Sequence, residues 1–168
     1  MAFIKLSDSA GTKKVMIFAE GTILKPKSKI SVNNLNTYIP IGDAVDRIKG
    51  WQQQGAEIIY CTSRRGKQAE NMAALLLKCK FAGSKLYYRE KAQKYKDLVE
   101  TVHPDVLIED DCKSIGGSWQ MCITYVELEI KNKIKSIIVK EFTGIDHLQH
   151  DVQKLCVLNN PETVFGET

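Results

Sequence analysis

The chain has 168 residues and a mass of 18.9 kDa, the usual size of one domain with a single sizeable core. Hydrophobic residues make up 43% and charged residues 26%, a balance that excludes a disordered chain. The net charge of +4 permits phosphate-bearing partners without requiring nucleic acid. No apolar run approaches ~18 residues, and residues 1–14 lack a secretion signal, so we predict a cytoplasmic protein without membrane contact.

The cysteines and histidines give no sign of a metal or disulfide framework. The five cysteines are widely spaced, and no Cys-x-x-Cys pair occurs. This pattern is typical of reduced thiols in a cytosolic protein. His103, His147 and His150 have no spacing that is typical of metal ligands.

Apolar runs alternate with helical patterns along the chain. The predicted buried strands are 15–18, 58–61, 85–88, 106–108 and 137–139. The predicted helices are 43–54, 69–77, 95–102 and 148–156. Continuous apolar strands indicate a parallel sheet that is covered on both faces. We therefore predict an α/β fold, a three-layer α/β/α sandwich with a Rossmann-like parallel sheet of about five strands. The whole chain, 1–168, is expected to be one domain with a core at about 14–158 and flexible ends.

Polar residues follow three of the predicted strands. In open parallel sheets, ligands bind beyond the carboxyl ends of the strands. The residues at these positions are Glu20-Gly21-Thr22, Thr62-Ser63-Arg64 and Glu109-Asp110-Asp111. Three adjacent acids repel one another, which indicates a cation or a basic partner at the third position.

The order of these motifs resembles that of the haloacid dehalogenase superfamily. That family has a strand ending in DxDGT, a second ending in Thr or Ser, a lysine, and a later strand ending in paired acids. The matching residues here are Phe18-Ala19-Glu20-Gly21-Thr22, Thr62 with Ser63, Lys96 and Glu109-Asp110-Asp111. The resemblance covers roughly residues 14–140 and implies a haloacid dehalogenase-like fold. The segment 22–40 stands where that family often inserts a cap, and its roughly 20 residues are too few for a separate cap domain.

One departure from the family pattern concerns catalysis. The first Asp of DxDGT is the family's nucleophile, and the alignment puts Phe18 at that position. Phenylalanine neither attacks phosphorus nor binds a metal. The resemblance therefore implies a pseudoenzyme that lacks aspartyl-phosphate chemistry.

The remaining motif residues retain roles in the same resemblance. Glu20 is the candidate acid or base, and Lys96 the candidate charge stabiliser, with Lys91 and Lys94 as alternatives for the lysine. The candidate phosphate-binding residues are Gly21, Thr22, Thr62, Ser63 and Arg64, the last three opening a helix. The candidate ligands for Mg²⁺ are Glu109, Asp110 and Asp111.

Three functions follow from the sequence. The favoured one is a haloacid dehalogenase-like protein that binds a phosphorylated small molecule or nucleotide with Mg²⁺. The first alternative is a phosphohydrolase in which Glu20 activates water at a metal. The second is an interaction module, for instance for nucleic acid, that uses the lysine-rich segments. The lysines at 25, 27 and 29 predict a basic lid over the site within the long segment 22–40.

Overall fold

A computed structural model describes residues 2–158 of the chain. The predicted flexibility of the C-terminal end concerns residues 159–168 and lies outside the described residues. At the other end of the chain, residues 2–5 form an edge strand of the main sheet.

Eight strands and five α-helices make up the described part of the chain. The strands are β1 (Ala2–Lys5), β2 (Lys13–Phe18), β3 (Leu24–Pro26), β4 (Tyr38–Pro40), β5 (Ala56–Thr62), β6 (Lys85–Tyr88), β7 (Val106–Asp110) and β8 (Lys135–Val139). The helices are α1 (Ala44–Gln53), α2 (Lys67–Lys78), α3 (Tyr95–Val102), α4 (Leu128–Lys131) and α5 (Val152–Leu155).

The main sheet has six strands in the order β1-β6-β5-β2-β7-β8. The five strands from β6 to β8 run parallel, and β1 pairs antiparallel with β6. The predicted α/β fold with five parallel strands is therefore confirmed, within a mixed rather than purely parallel sheet. Residues of β1 alternate between half-buried and exposed, so this edge strand lacks the continuous apolar run that revealed the others.

Two apolar cores cover the two faces of this sheet. One lies under α1, α2 and α5 and includes Trp51 and Met72, which are fully inaccessible to solvent. The other lies under α3 and the turns around α4 and includes Leu98. Along β2, Val15 belongs to the first core and Met16 to the second, as the two-residue period of a strand requires. Helices thus pack on both sides of the sheet, as predicted for a three-layer sandwich.

The long segment after β2 is a small hairpin. β3 and β4 pair antiparallel, and two short 3₁₀ turns join them. The base of this hairpin is fixed to the main sheet through Ala19, whose N donates to Cys61 O of β5 over 2.9 Å and whose O accepts from Leu24 N over 3.1 Å. The predicted lid therefore has a definite structure, which starts at the carboxyl end of β2.

Within residues 2–158, no helix has the length and apolar character that crossing a bilayer requires.

Candidate functional site

The parallel strands bring several polar turns together at the carboxyl edge of the sheet. A cavity of about 170 Å³ lies there. Its polar lining includes Glu20, Ser63, Arg64, Asp110, Ser114 and Glu141, and its aromatic lining Phe18, Tyr38, Tyr95 and Phe142. The cavity is smaller than the ~300–1,000 Å³ typical of small-molecule sites, so it fits only part of a nucleotide-sized ligand.

Three carboxylates converge at this edge. Asp110, Asp111 and Glu141 each offer an oxygen within 4.8 Å of the others. The register of β7 and β8 places Asp110 beside Val139, and Glu141 follows two residues later. Two backbone N–H groups fix the turn: Asp111 N donates to the backbone Val139 O over 2.9 Å, and Glu141 N donates to the side-chain Asp111 Oδ1 over 3.2 Å.

Neighbouring groups orient each of these carboxylates. Cys112 N donates to Asp110 Oδ2 over 3.0 Å. Ser114 donates to Glu141 through both its backbone N, over 3.0 Å, and its Oγ, over 2.6 Å. Burial raises the pKa of Asp110, and the nearby charge of Glu141 raises it further, while the bond from Cys112 opposes both. The cluster therefore has fixed geometry and excess negative charge.

The donor set of this cluster fits a hard divalent cation. Mg²⁺ prefers carboxylate oxygens from one or two side chains, with water and ligand phosphates completing its octahedron. Lys113 Nζ lies 3.7 Å from Asp111 Oδ2, but its side chain is 76% exposed and free to move away. Asp110, Asp111 and Glu141 are thus the residues that would hold a cation.

Glu109, the third predicted metal ligand, lies elsewhere. It is buried on the opposite face of β7, where Oε2 accepts a hydrogen bond from Cys122 N over 2.6 Å and Oε1 one from Ile123 N over 3.0 Å. Burial raises the pKa of Glu109 to about 7, against the opposing effect of these two bonds. Consecutive strand residues alternate between faces, so the structure does not bring Glu109 to the cluster.

Glu20 uses the donors that were predicted to bind phosphate. Its Oε1 accepts hydrogen bonds from Thr62 Oγ1 over 2.6 Å, from Ser63 Oγ over 2.8 Å and from Ser63 N over 3.2 Å. Arg64 Nε lies 3.5 Å from the same oxygen. No group within residues 2–158 donates a hydrogen bond to the buried Oε2 of Glu20. This oxygen is an acceptor without a partner, on a side chain that lines the cavity.

Gly21 and Thr22 lie directly behind Asp110. Gly21 has a φ of +81°, and a Cβ at this position would lie 2.7 Å from Asp110 Oδ1. Thr22 is fully buried, and its Oγ1 donates to that oxygen over 3.3 Å. Both residues position the acid cluster, whereas a phosphate contact by either remains a prediction.

The predicted basic residues have different places. Lys96 Nζ lies 3.5 Å from Glu100 Oε1, and Lys96 is absent from the described lining of the cavity. Arg64 does line it, and its Nη2 donates to Val32 O over 3.0 Å and lies 3.5 Å from the hydroxyl of Tyr38. Arg64 thereby connects the β3–β4 hairpin to the site.

Sequence reasoning missed Glu141 and the aromatic lining. Glu141 lies just past the end of β8, so the rule that pointed to the other strand ends also applies to it. Phe18 packs against the second core and also lines the cavity, where its ring meets Tyr95 edge-on at 5.6 Å. Arg89 lies 3.7 Å above the ring of Tyr95 on that side of the site.

Comparisons with known proteins identify no family for this chain. No protein-family model matches it, and no curated protein matches it. A solved structure of a universal stress protein in complex with cAMP is similar, with 17% sequence identity and a TM-score of 0.37. That match covers 78% of this chain and 98% of the other. A similarity this distant assigns neither a ligand nor an activity to this chain.

These findings correct the predicted family. The matching structure is a universal stress protein, and none of the comparisons supports a haloacid dehalogenase. The predicted membership of that superfamily is wrong, and so are the pseudoenzyme and phosphatase-like functions that followed from it. Short polar turns at strand ends occur in many Rossmann-like sheets, because that edge is where such folds bind ligands.

Proposed function

We propose that the cavity at the carboxyl edge of the sheet binds a phosphorylated small molecule of nucleotide type together with a divalent cation. One observation carries this proposal: Asp110 and Glu141, two members of the carboxylate cluster, line a cavity that also has several aromatic rings in its wall. Carboxylates suit a cation, and aromatic faces suit a planar base. A nucleotide–cation complex offers both.

The cation links the acid cluster to an anionic ligand. Without it, a phosphate entering the cavity would meet the negative charges of Asp110 and Glu141. Mg²⁺ bound by these residues and Asp111 reverses the local charge and keeps coordination positions for phosphate oxygens. Ligand binding is therefore expected to depend on the cation.

A ligand hydroxyl that reaches the buried Oε2 of Glu20, unpartnered within residues 2–158, would make a contact of a different kind. An ionised carboxylate accepts hydrogen bonds but donates none, so Oε2 suits a hydroxyl of the ligand rather than its phosphate. Acidic side chains bind ribose hydroxyls in this way in other nucleotide-binding sheets. The three hydrogen bonds to Oε1 hold the side chain in place for this contact.

The aromatic residues form the apolar part of the site. Phe18 and Tyr95 pack edge to face, and both line the cavity. A base that stacks on such rings gains about 1–3 kcal/mol. The proposal covers binding and contains no reaction step.

Calorimetric titration of 5′-AMP, with and without 5 mM Mg²⁺, tests this function. The wild-type chain is expected to bind AMP in Mg²⁺ and at least tenfold more weakly after chelation with EDTA. Asp110→Asn should lose this difference, while Glu129→Gln, the same loss of charge at an exposed residue outside the cavity lining, should keep it. cAMP, the ligand named for the universal stress protein structure, is a second probe. Equal binding of AMP and cAMP with and without Mg²⁺, or none, would refute the proposal.

A further inference from the structure

A second cavity, of about 320 Å³, adjoins the proposed ligand site. Its lining includes three lysines, Lys25, Lys27 and Lys29. Val32 and Phe142 line both this cavity and the one with the carboxylates, so the two cavities share a wall. We call the second one the lysine cavity.

The described lining of the lysine cavity itself contains no carboxylate. Residues 21–42 contain no Asp or Glu, so the hairpin brings positive charge without a neighbouring acid. Among the salt bridges of residues 2–158, none involves Lys25, Lys27 or Lys29. Lys25 is half-buried and Lys27 and Lys29 are exposed, so these residues give the cavity a positive lining that would attract an anion.

The shared wall contains a strained residue. Phe142 has a φ of +64°, a left-handed conformation that is unusual for a bulky side chain. Its N–H donates to Gly21 O over 2.7 Å, and the residue remains 38% exposed. The backbone is thus fixed in a costly conformation that leaves an aromatic ring accessible between the two cavities, which is a recurrent property of ligand sites.

We infer that the lysine cavity is a second anion subsite, and that the ligand is a nucleotide with at least two phosphate groups. This inference rests on the proposed function, because it takes the acid cluster as the cation site. Mg²⁺ on the carboxylates coordinates one phosphate, and the lysines bind another beyond Phe142. The opposite charges of the adjacent cavities fit such a ligand, in which a cation and a phosphate chain lie side by side.

The inference is tested with AMP, ADP and ATP as probes at saturating Mg²⁺. Wild-type protein is expected to bind ADP and ATP at least tenfold more tightly than AMP. In the triple variant Lys25→Gln, Lys27→Gln, Lys29→Gln this preference should fall to less than threefold, with AMP binding unchanged. A matched triple variant, Lys49→Gln, Lys78→Gln, Lys133→Gln, removes the same charge at three exposed lysines and should keep the preference.

The results distinguish this inference from the function on which it rests. Failure of every nucleotide to bind would refute both. AMP binding that depends on Mg²⁺, together with a preference for ATP that is absent or survives the lysine-cavity substitutions, would refute only the second subsite. A single-stranded oligonucleotide that binds more tightly than ATP, and loses that affinity in the same variant, would replace the small ligand with a nucleic acid.

Discussion

Replacing Glu141 with Gln is expected to stabilise the protein without cations and to reduce strongly its stabilisation by Mg²⁺. The substitution removes one of three converging negative charges. It preserves the local hydrogen bonds, because the glutamine oxygen still accepts from Ser114 N while its amide donates to the Ser114 hydroxyl, which can also accept. The change is therefore mainly electrostatic.

The size of the effect follows from the separation of the charges. Two unit charges 4.8 Å apart, the upper limit for this cluster, repel by about 1 kcal/mol in water and about 3.5 kcal/mol at an effective dielectric constant of 20. Asp110 is buried and Glu141 is half-buried, so an intermediate gain of about 1–2 kcal/mol in the free energy of unfolding is expected. This corresponds to a rise in Tm of about 2–8 °C for a chain of this size.

At saturating Mg²⁺, the wild type is expected to become more stable than Glu141→Gln. A cation at a hundred times its Kd stabilises the folded wild type by about 2.7 kcal/mol, which exceeds the variant's advantage of about 1–2 kcal/mol, whereas a variant that lacks the third carboxylate gains much less from the cation. Thermal unfolding is followed by circular dichroism in EDTA and across a Mg²⁺ series, with Glu129→Gln as the control for lost charge. A variant that is less stable than wild type in EDTA, or that responds to Mg²⁺ as fully as wild type, would refute this reasoning.

The other predictions concern the surroundings of the cluster. Gly21→Ala places a Cβ 2.7 Å from Asp110 Oδ1 at a φ of +81°. The variant should lose about 1–3 kcal/mol of unfolding free energy, measured in urea, and should no longer be stabilised by Mg²⁺. Stabilisation by Mg²⁺ equal to that of wild type would contradict the role of Gly21. Lys113→Gln removes the ammonium group beside Asp111, and calorimetry should show Mg²⁺ binding that is tighter by up to about fivefold. Weaker Mg²⁺ binding by this variant would refute the expectation and show that Lys113 supports the site. The pKa of Glu109 is raised from 4.5 to about 7, so its contribution to stability is complete below pH 4.5 and is lost as the pH rises through 7. Between pH 4.5 and pH 8, urea unfolding should show that Glu109 contributes a loss of about 3 kcal/mol of unfolding free energy in wild type, which is absent in Glu109→Gln. If the unfolding free energies of the two proteins change in parallel with pH, the raised pKa of Glu109 is refuted.

The parallel strands could be predicted from the sequence because their burial is two-sided. Residues on both faces of β2 are apolar, and the same is true of β5, so each strand appears as a continuous apolar run. The closing helix was predicted over 148–156 and is limited to Val152–Leu155. Residues 146–149 instead form turns, where Arg47 and the indole nitrogen of Trp51 donate to backbone carbonyls. Such a tertiary contact leaves no periodic pattern in the sequence.

The candidate site was predictable only in part. Asp110 and Asp111 are predictable because they stand at the end of a strand, whereas Glu109 lies on the opposite face because neighbouring strand residues alternate. Glu141 joins them only through the pairing of β7 with β8, which connects residues thirty positions apart. The order of motifs indicated the haloacid dehalogenase superfamily, and this prediction was wrong. Short polar turns mark the ligand-binding edge of many sheets of this kind, so they do not identify a family.

The antiparallel edge strand β1 has a practical consequence for measuring cation and ligand affinities. Ala2 pairs with Tyr88, which is the last residue of β6 and therefore lies at the same edge of the sheet as the carboxylates. A purification tag fused before Ala2 would start at this carboxyl edge, four strand spacings or about 19 Å from β7, and a long polyhistidine sequence would reach the carboxylates and compete for divalent cations. Affinities should be measured after such a tag is cleaved.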